Sequence, residues 1–257
     1  MTSSAPPDDA NLIAPPGRSR RLGPLFIVIL IVAILLTGTM AVVAIRNRSE
    51  QRQFAALRVS GLPASVSTSL ANLMSLSPVP DRRAPNFTLT DQKGRTLSLE
   101  SFKGRTVVLE FMDPHCVDIC PLVAQELNFA NHDLGVNASK VVFIAVNVNQ
   151  FFAKTSSMET FSLAHQLTSI ASWHFFTGSI TDLRKVWRNY GVAVQTRTSQ
   201  SDVIHTSVMY FIDPRGRERY IATPLIDHTS SGAPYLSTDS LTSWGRGIAL
   251  VAQSLSS

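Results

Sequence analysis

Cys116 and Cys120 are the only cysteines in the 257-residue chain, and Val117, Asp118 and Ile119 separate them. Two thiols in one short motif, with none elsewhere, point to redox or metal chemistry. A disulfide-stapled secreted domain would scatter more of them along the chain. The bland alternative is a pair of structural thiols, since free Cys packs as a small apolar residue. Position argues against it. The pair follows the apolar run TVVLEFM (106–112), short enough for a buried strand. It leads into PLVAQELNFANHDLG, a helix with Pro121 at its start and Gly135 past its end. The helix is expected to begin near Pro121, with Cys120 near the N-cap and Cys116 on the preceding loop. Free N–H groups and the positive end of the helix dipole there favour thiolate, the form that attacks disulfides and binds metal.

Spacing separates the chemistries. Common dithiol oxidoreductases have two intervening residues, whereas three leave room for an ion between the sulfurs and still permit a disulfide. A peroxidase would need Thr three residues before its attacking Cys and Pro four before that. Those positions hold Asp113 and Leu109 before Cys116, and Val117 and Asp113 before Cys120, so that reading fails. Six histidines could add a ligand: His115, His132, His165, His174, His205 and His228. His132 and His165 fall on predicted helices and read as structural. His115 adjoins Cys116, but a sequence neighbour on an extended loop points the other way.

The elements that must position these residues alternate. A hairpin turns at Asp91-Gln92-Lys93-Gly94. VVFIAVNV (141–148) reads as a second buried strand, and Ser156 with Glu159 as a capping box opening a helix to about Leu167. WHFFTG is a strand, SITDLRKVWRNYG a helix, TSVMYFID and ERYIATP an antiparallel pair, and a last helix runs from about Asp239 to Ser254. This order predicts an α/β domain, a mixed sheet flanked by helices, over residues 83–257. Upstream, residues 1–22 read as a cytoplasmic tail. Residues 23–45, with the uncharged run from Leu25 to Ile45, read as one N-terminal transmembrane helix anchored in membrane lipid. Residues 46–82 read as a juxtamembrane linker with one short helix around Ser67–Leu76. Up to Arg58 there are seven Arg against Asp8, Asp9 and Glu50, a net +4 of the total +5. The basicity thus belongs to the membrane flanks, and a nucleic-acid partner is unsupported.

The run Cys116-Val117-Asp118-Ile119-Cys120-Pro121 after an apolar strand, joined to His205-Thr206-Ser207-Val208-Met209-Tyr210-Phe211-Ile212-Asp213-Pro214-Arg215-Gly216, resembles the SCO/SenC family of copper-binding thioredoxin-like proteins. The resemblance implies a thioredoxin-like fold and a copper site of Cys116, Cys120 and His205. Two thiolates and one imidazole form a soft set that suits Cu(I) and also holds Cu(II), whereas structural zinc wants a fourth protein ligand. His205 is expected to open the strand beside the one that ends at Cys116. No Pro lies between Thr181 and Asp213 to occupy the slot that faces the dithiol in thioredoxin-type reductases. Met209 reads as core, and Asp118 as either an orienting group or a solvated one. The resemblance further implies a membrane-anchored copper chaperone that serves a copper-recipient membrane oxidase subunit in cytochrome c oxidase maturation. The alternative is an extracytoplasmic thiol–disulfide oxidoreductase with Cys116 attacking and Cys120 resolving. Either chemistry places the C-terminal domain outside the cytoplasmic membrane, a single-pass topology that a reporter fused after Ser257 reads directly.

Overall fold

The structure, a computed structural model, describes residues 61–196 and 203–256 together with Ile29, Val32, Ala33 and residues 37–40. Those N-terminal residues are helical, and the rest of the expected tail and anchor lies outside the described residues. Among the described residues no helix is long and apolar enough to cross a membrane. The chain divides into two units, Met1–Phe54 and Ala55–Ser257, and the second carries the sheet.

Ser67 opens this unit by accepting the Leu70 N–H at the start of helix α1 (Thr68–Leu73). Strand β1 (Ser77–Arg83) follows, then the hairpin β2 (Thr88–Asp91) and β3 (Thr96–Ser98). A 3₁₀ turn at Leu99–Phe102 leads to β4 (Thr106–Met112), α2 (Ile119–Leu134) and β5 (Val141–Asn147). Next come α3 (Thr155–Ala164), β6 (Trp173–Thr177) and α4 (Ile180–Asn189). The short strands β7 (Val194–Gln195) and β8 (Ile204–His205) pair with each other as a ribbon beside the main sheet. Strands β9 (Met209–Ile212) and β10 (Arg217–Ala222), the ribbon β11 (Asp227–His228) with β12 (Pro234–Tyr235), and α5 (Thr238–Leu255) complete the fold.

The main sheet has eight strands in the order β1-β10-β9-β4-β5-β6-β2-β3. β4, β5 and β6 run parallel, and every other neighbour is antiparallel. All seven residues of β4 and of β5 are buried, as expected of parallel strands covered on both faces. Val108 and Met112 pack with Val123, Leu127, Trp244 and Ile248 under α2 and α5. Val107, Leu109 and Phe111 pack with Leu183, Val186 and Trp187 under α4. The period-two alternation of β4 thus feeds two cores, one on each face.

Three expectations are corrected. Residues 77–82, read as the end of a linker, form edge strand β1 together with Arg83 on β10, where Arg82 pairs with the fully buried Glu218. α2 begins at Ile119, with Pro121 inside the first turn, where its missing N–H has no intrahelical acceptor to lose. α3 begins at Thr155 after Lys154, without the expected capping box, and ends at Ala164.

Candidate metal centre

The cysteine loop leaves the C-terminal end of β4, the end at which open α/β sheets gather their sites. Asp113, 1% exposed, fixes it. Its carboxylate accepts the His115 N–H at 2.8 Å and both Asn149 Nδ2 contacts at 3.1 and 3.0 Å. Its carbonyl accepts the Cys116 N–H at 3.1 Å. Asn149 is itself positioned by Asn147, whose Oδ1 accepts the Asn149 N–H at 2.8 Å. The loop is therefore tied to the ends of both central strands.

Cys116 is partly exposed on this loop, and Cys120 is buried in the first turn of α2. The two sulfurs are not joined in a disulfide. The Cys120 N–H donates to Cys116 Sγ at 3.5 Å, so a helix-terminal N–H faces the outer sulfur. The thiol hydrogen bond with Cys116, then burial, push the Cys120 thiol well above its ordinary range, against a lowering contact from the Asp113 backbone. The expectation that the helix N-terminus favours thiolate is thus reversed at Cys120. Desolvation and the adjacent sulfur outweigh the dipole.

His205 does not open the strand beside β4. It sits in β8, paired with Val194, four residues before β9 begins. β9 runs antiparallel to β4, Leu109 opposite Tyr210, so the start of β9 lies at the loop end of β4. Asp113 also reaches this segment, accepting the Val203 N–H at 3.3 Å. His205 Nδ1 lies 3.0 Å from the Thr206 carbonyl. A carbonyl only accepts, so Nδ1 carries the proton and Nε2 keeps its lone pair for another partner. Burial lowers the His205 pKa, while the Thr206 carbonyl and the Asp113 charge raise it. The balance favours the neutral, ligating form.

The other candidates separate by contact. His115 stacks on Phe152, with ring centroids 3.4 Å apart. Met209 is fully buried in β9, a core residue as expected. Asp118, the N-cap of α2, makes no capping bond; its Oδ1 lies 3.4 Å from His228 Nε2. That contact ties the β11–β12 ribbon to the loop between the two cysteines. Asp113, Asn149 and His228 were not singled out in the sequence. The first two stand just beyond long apolar strands, a signal that could have found them. Nothing local marks His228, which arrives from more than a hundred residues downstream. Among the described residues, no three Cys, His, Asp or Glu side chains stand close enough together to hold a metal ion. The structure brings the two cysteines together and sets the His205 segment at the same end of the sheet, without a closed cage.

Comparison with known proteins places this architecture. A family model described as SCO1/SenC matches residues 77–230, from β1 to the β11–β12 ribbon. The SCO1 protein homolog of Bacillus subtilis (strain 168) is 27% identical over 133 residues, 51% of this chain and 68% of that protein. Bradyrhizobium japonicum ScoI, solved with copper bound, superposes with a TM-score of 0.51 at 22% identity, covering 66% of this chain and 99% of that one. BsSco, described as a member of the Sco family of cytochrome c oxidase assembly proteins with a disulfide switch, gives 0.50 at 23% identity over 67% and 95%. These likenesses show the fold, a thioredoxin-like α/β arrangement with a mixed sheet flanked by helices. Matched across more than half of its length, the chain belongs to the SCO1/SenC family.

Proposed function

We propose that this chain binds copper through Cys116, Cys120 and His205 and passes it to a copper-recipient subunit of a membrane oxidase. The observation that carries the reading is the adjacent Cys116–Cys120 pair, not joined in a disulfide, at the loop end of β4. His205 supports it, with Nδ1 held on a carbonyl and Nε2 free to ligate. The donor set suits Cu(I) and tolerates Cu(II). Similarity to a ScoI solved with copper and to a Sco-family oxidase assembly protein supports the cargo and the recipient class. Because the described residues form no ready-made cage, ligation asks the β7–β8 ribbon to move toward the sulfurs. Cys116 lines an open groove of about 360 Å³ between the loop and α3, through which a recipient's ligands can reach the outer sulfur and exchange. The setting is a chain anchored by residues 23–45 with this domain outside the cytoplasm, where copper oxidases take up their metal.

One observation favours a second activity at the same residues. Cys116 is accessible and Cys120 is 2% exposed, the arrangement of an attacking and a resolving thiol. Cys116 thiolate would displace one sulfur of a recipient disulfide. Cys120 would then displace the recipient from Cys116, leaving a recipient dithiol and an intramolecular disulfide here. A single variant separates the readings. His205→Ala in the reduced full chain should weaken copper binding by about tenfold or more in a chelator competition. Dithiol reductase activity should persist. Unchanged copper affinity in that variant removes the third ligand and leaves only the redox reading.

A further inference from the structure

At the opposite end of the central strands lies a second polar site. A groove of about 580 Å³ is lined by Arg95, Ser101, Arg105, Asn131, Ser172 and His174 among others, with no acidic residue on its walls. Arg105 immediately precedes β4 and His174 is the second residue of β6, so the groove sits where the parallel strands begin. The cysteine loop leaves where β4 ends, seven residues on, or about 20 Å away.

The groove is built around a buried imidazole. The His174 side chain is 8% exposed and is clamped between Phe176, stacked at 5.7 Å, and Phe102, tilted at 4.9 Å. Its Nδ1 lies 3.1 Å from Asp91 Oδ2. Asp91 is fully buried and saturated, accepting the Lys93 and Arg95 N–H groups and the Arg95 side chain. Burial pushes its carboxyl up, but these bonds outweigh burial and hold it below the usual carboxylate value, so it remains an anion that accepts from Nδ1. Asp91 is the nearer partner of Nδ1, so the neutral ring keeps its proton there; Arg95 Nη2, a donor only, stands 3.4 Å from the same nitrogen without bonding to it, and Nε2 has no hydrogen-bond partner among the described residues. Arg105 makes no ion pair among the described residues, and its guanidinium lies 5.6 Å from the Phe102 ring. No serine hydroxyl bonds to the imidazole among the described residues, so the Asp91–His174 pair lacks a nucleophile and reads as a binding element rather than a hydrolytic one.

We infer that this groove is a binding site for the dianionic phosphoryl group of a small phosphate monoester, held by Arg105, Arg95 and His174 Nε2. The cluster of Asp91, Arg95, Arg105 and neutral His174 carries a net charge of +1, and +2 once His174 takes a proton. A dianion therefore matches it after one proton is taken up, and a phosphate monoester offers that charge above its second pKa of about 6. The planar Arg105 fork suits phosphoryl oxygens, Arg95 with its Nε and Nη2 on Asp91 offers its remaining Nη1, and the protonated imidazole supplies a third charge-assisted donor. The charged groups facing the ring are Asp91 from β2, Arg95 from the β2–β3 turn and Arg105 from the start of β4. In the free protein, burial first and the two arginines lower the His174 pKa, while Asp91 raises it. A bound dianion adds a further raising charge. Binding and protonation are thus linked, and each favours the other.

The test uses the full chain in a non-ionic detergent, with histidine labelled at Cε1 for NMR. Glycerol 3-phosphate should shift the His174 resonance saturably and raise the pH at which that ring titrates. Arg105→Ala should weaken the response by about tenfold or more. Lys103→Ala, a neighbouring cation outside this groove, should leave it within about twofold. Glycerophosphoglycerol, a monoanionic diester carrying a lipid headgroup, should bind more weakly than the monoester. No shift with the monoester, an equal response in Arg105→Ala, or a response to the diester alone would each overturn the assignment.

Discussion

At the scale of single residues the cysteine-bearing end of the sheet depends on Asp113 as much as on the sulfurs. Its carboxylate receives three donors, from His115, Asn149 and Val203, one from each segment that meets there, the last two of them buried. Asp113→Ala leaves all three without this acceptor, and the Asn149 and Val203 donors are buried away from water. The expected loss is about 3 kcal/mol of stability, read from urea unfolding. Copper affinity should fall as well, because the Val203 N–H links the residues just before His205 to Asp113. A variant that unfolds more easily but binds copper as tightly as the parent when folded would show that this link plays no part in ligation. The same residue explains why the site was only partly legible. Cys116, Cys120 and Pro121 announce themselves by type and spacing. Asp113 is an ordinary acid in the sequence, and only its burial and its partners reveal its role.

At the scale of elements, legibility follows periodicity. The runs at 106–112 and 141–148 read as buried strands because fully covered parallel strands are apolar throughout, and both are. β1 was missed because Ser77–Arg83 contains two prolines and three charged residues, the composition of an edge strand rather than a central one. The two-residue strands of the small ribbons were missed because no periodicity can be read over so short a length, and His205 was accordingly placed one element too late. One packing detail was also hidden. α5 crosses α2 so closely that a Cβ on Gly245 would overlap Phe129 Cβ and press on the Glu126 carbonyl. Backbone and a β-carbon cannot step aside as a side-chain end can. Gly245→Ala should therefore cost about 1–3 kcal/mol despite its gain in helix propensity, measured as a lower urea midpoint. A midpoint at or above the parent's would mean that the two helices separate without penalty.

At the scale of the whole molecule, the core between α2, β4 and α5 encloses ionisable groups that it does not satisfy. Both carboxyl oxygens of Glu126, one of Glu110 and the Trp244 Nε1 are buried without hydrogen-bond partners among the described residues. Burial raises the Glu126 pKa to about 8 and pushes Glu110 well above its usual value, with Glu126 adding to the latter. Folded Glu126 therefore holds its proton through a pH range in which the unfolded chain, near 4.5, has released it. The folded state binds more protons there, so stability falls as pH rises from about 4.5 toward 8, the reverse of the trend for a salt-bridged acid such as Asp91. Between pH 5 and pH 8 the loss attributable to Glu126 is on the order of 3 kcal/mol. Glu126→Gln keeps the shape and removes the proton equilibrium. Its stability should approach the parent's near pH 5 and exceed it progressively toward pH 8, in urea titrations at matched ionic strength. A constant difference between the two proteins across that range would mean that Glu126 titrates alike folded and unfolded. In that case water or a partner group must reach the carboxyl inside this core.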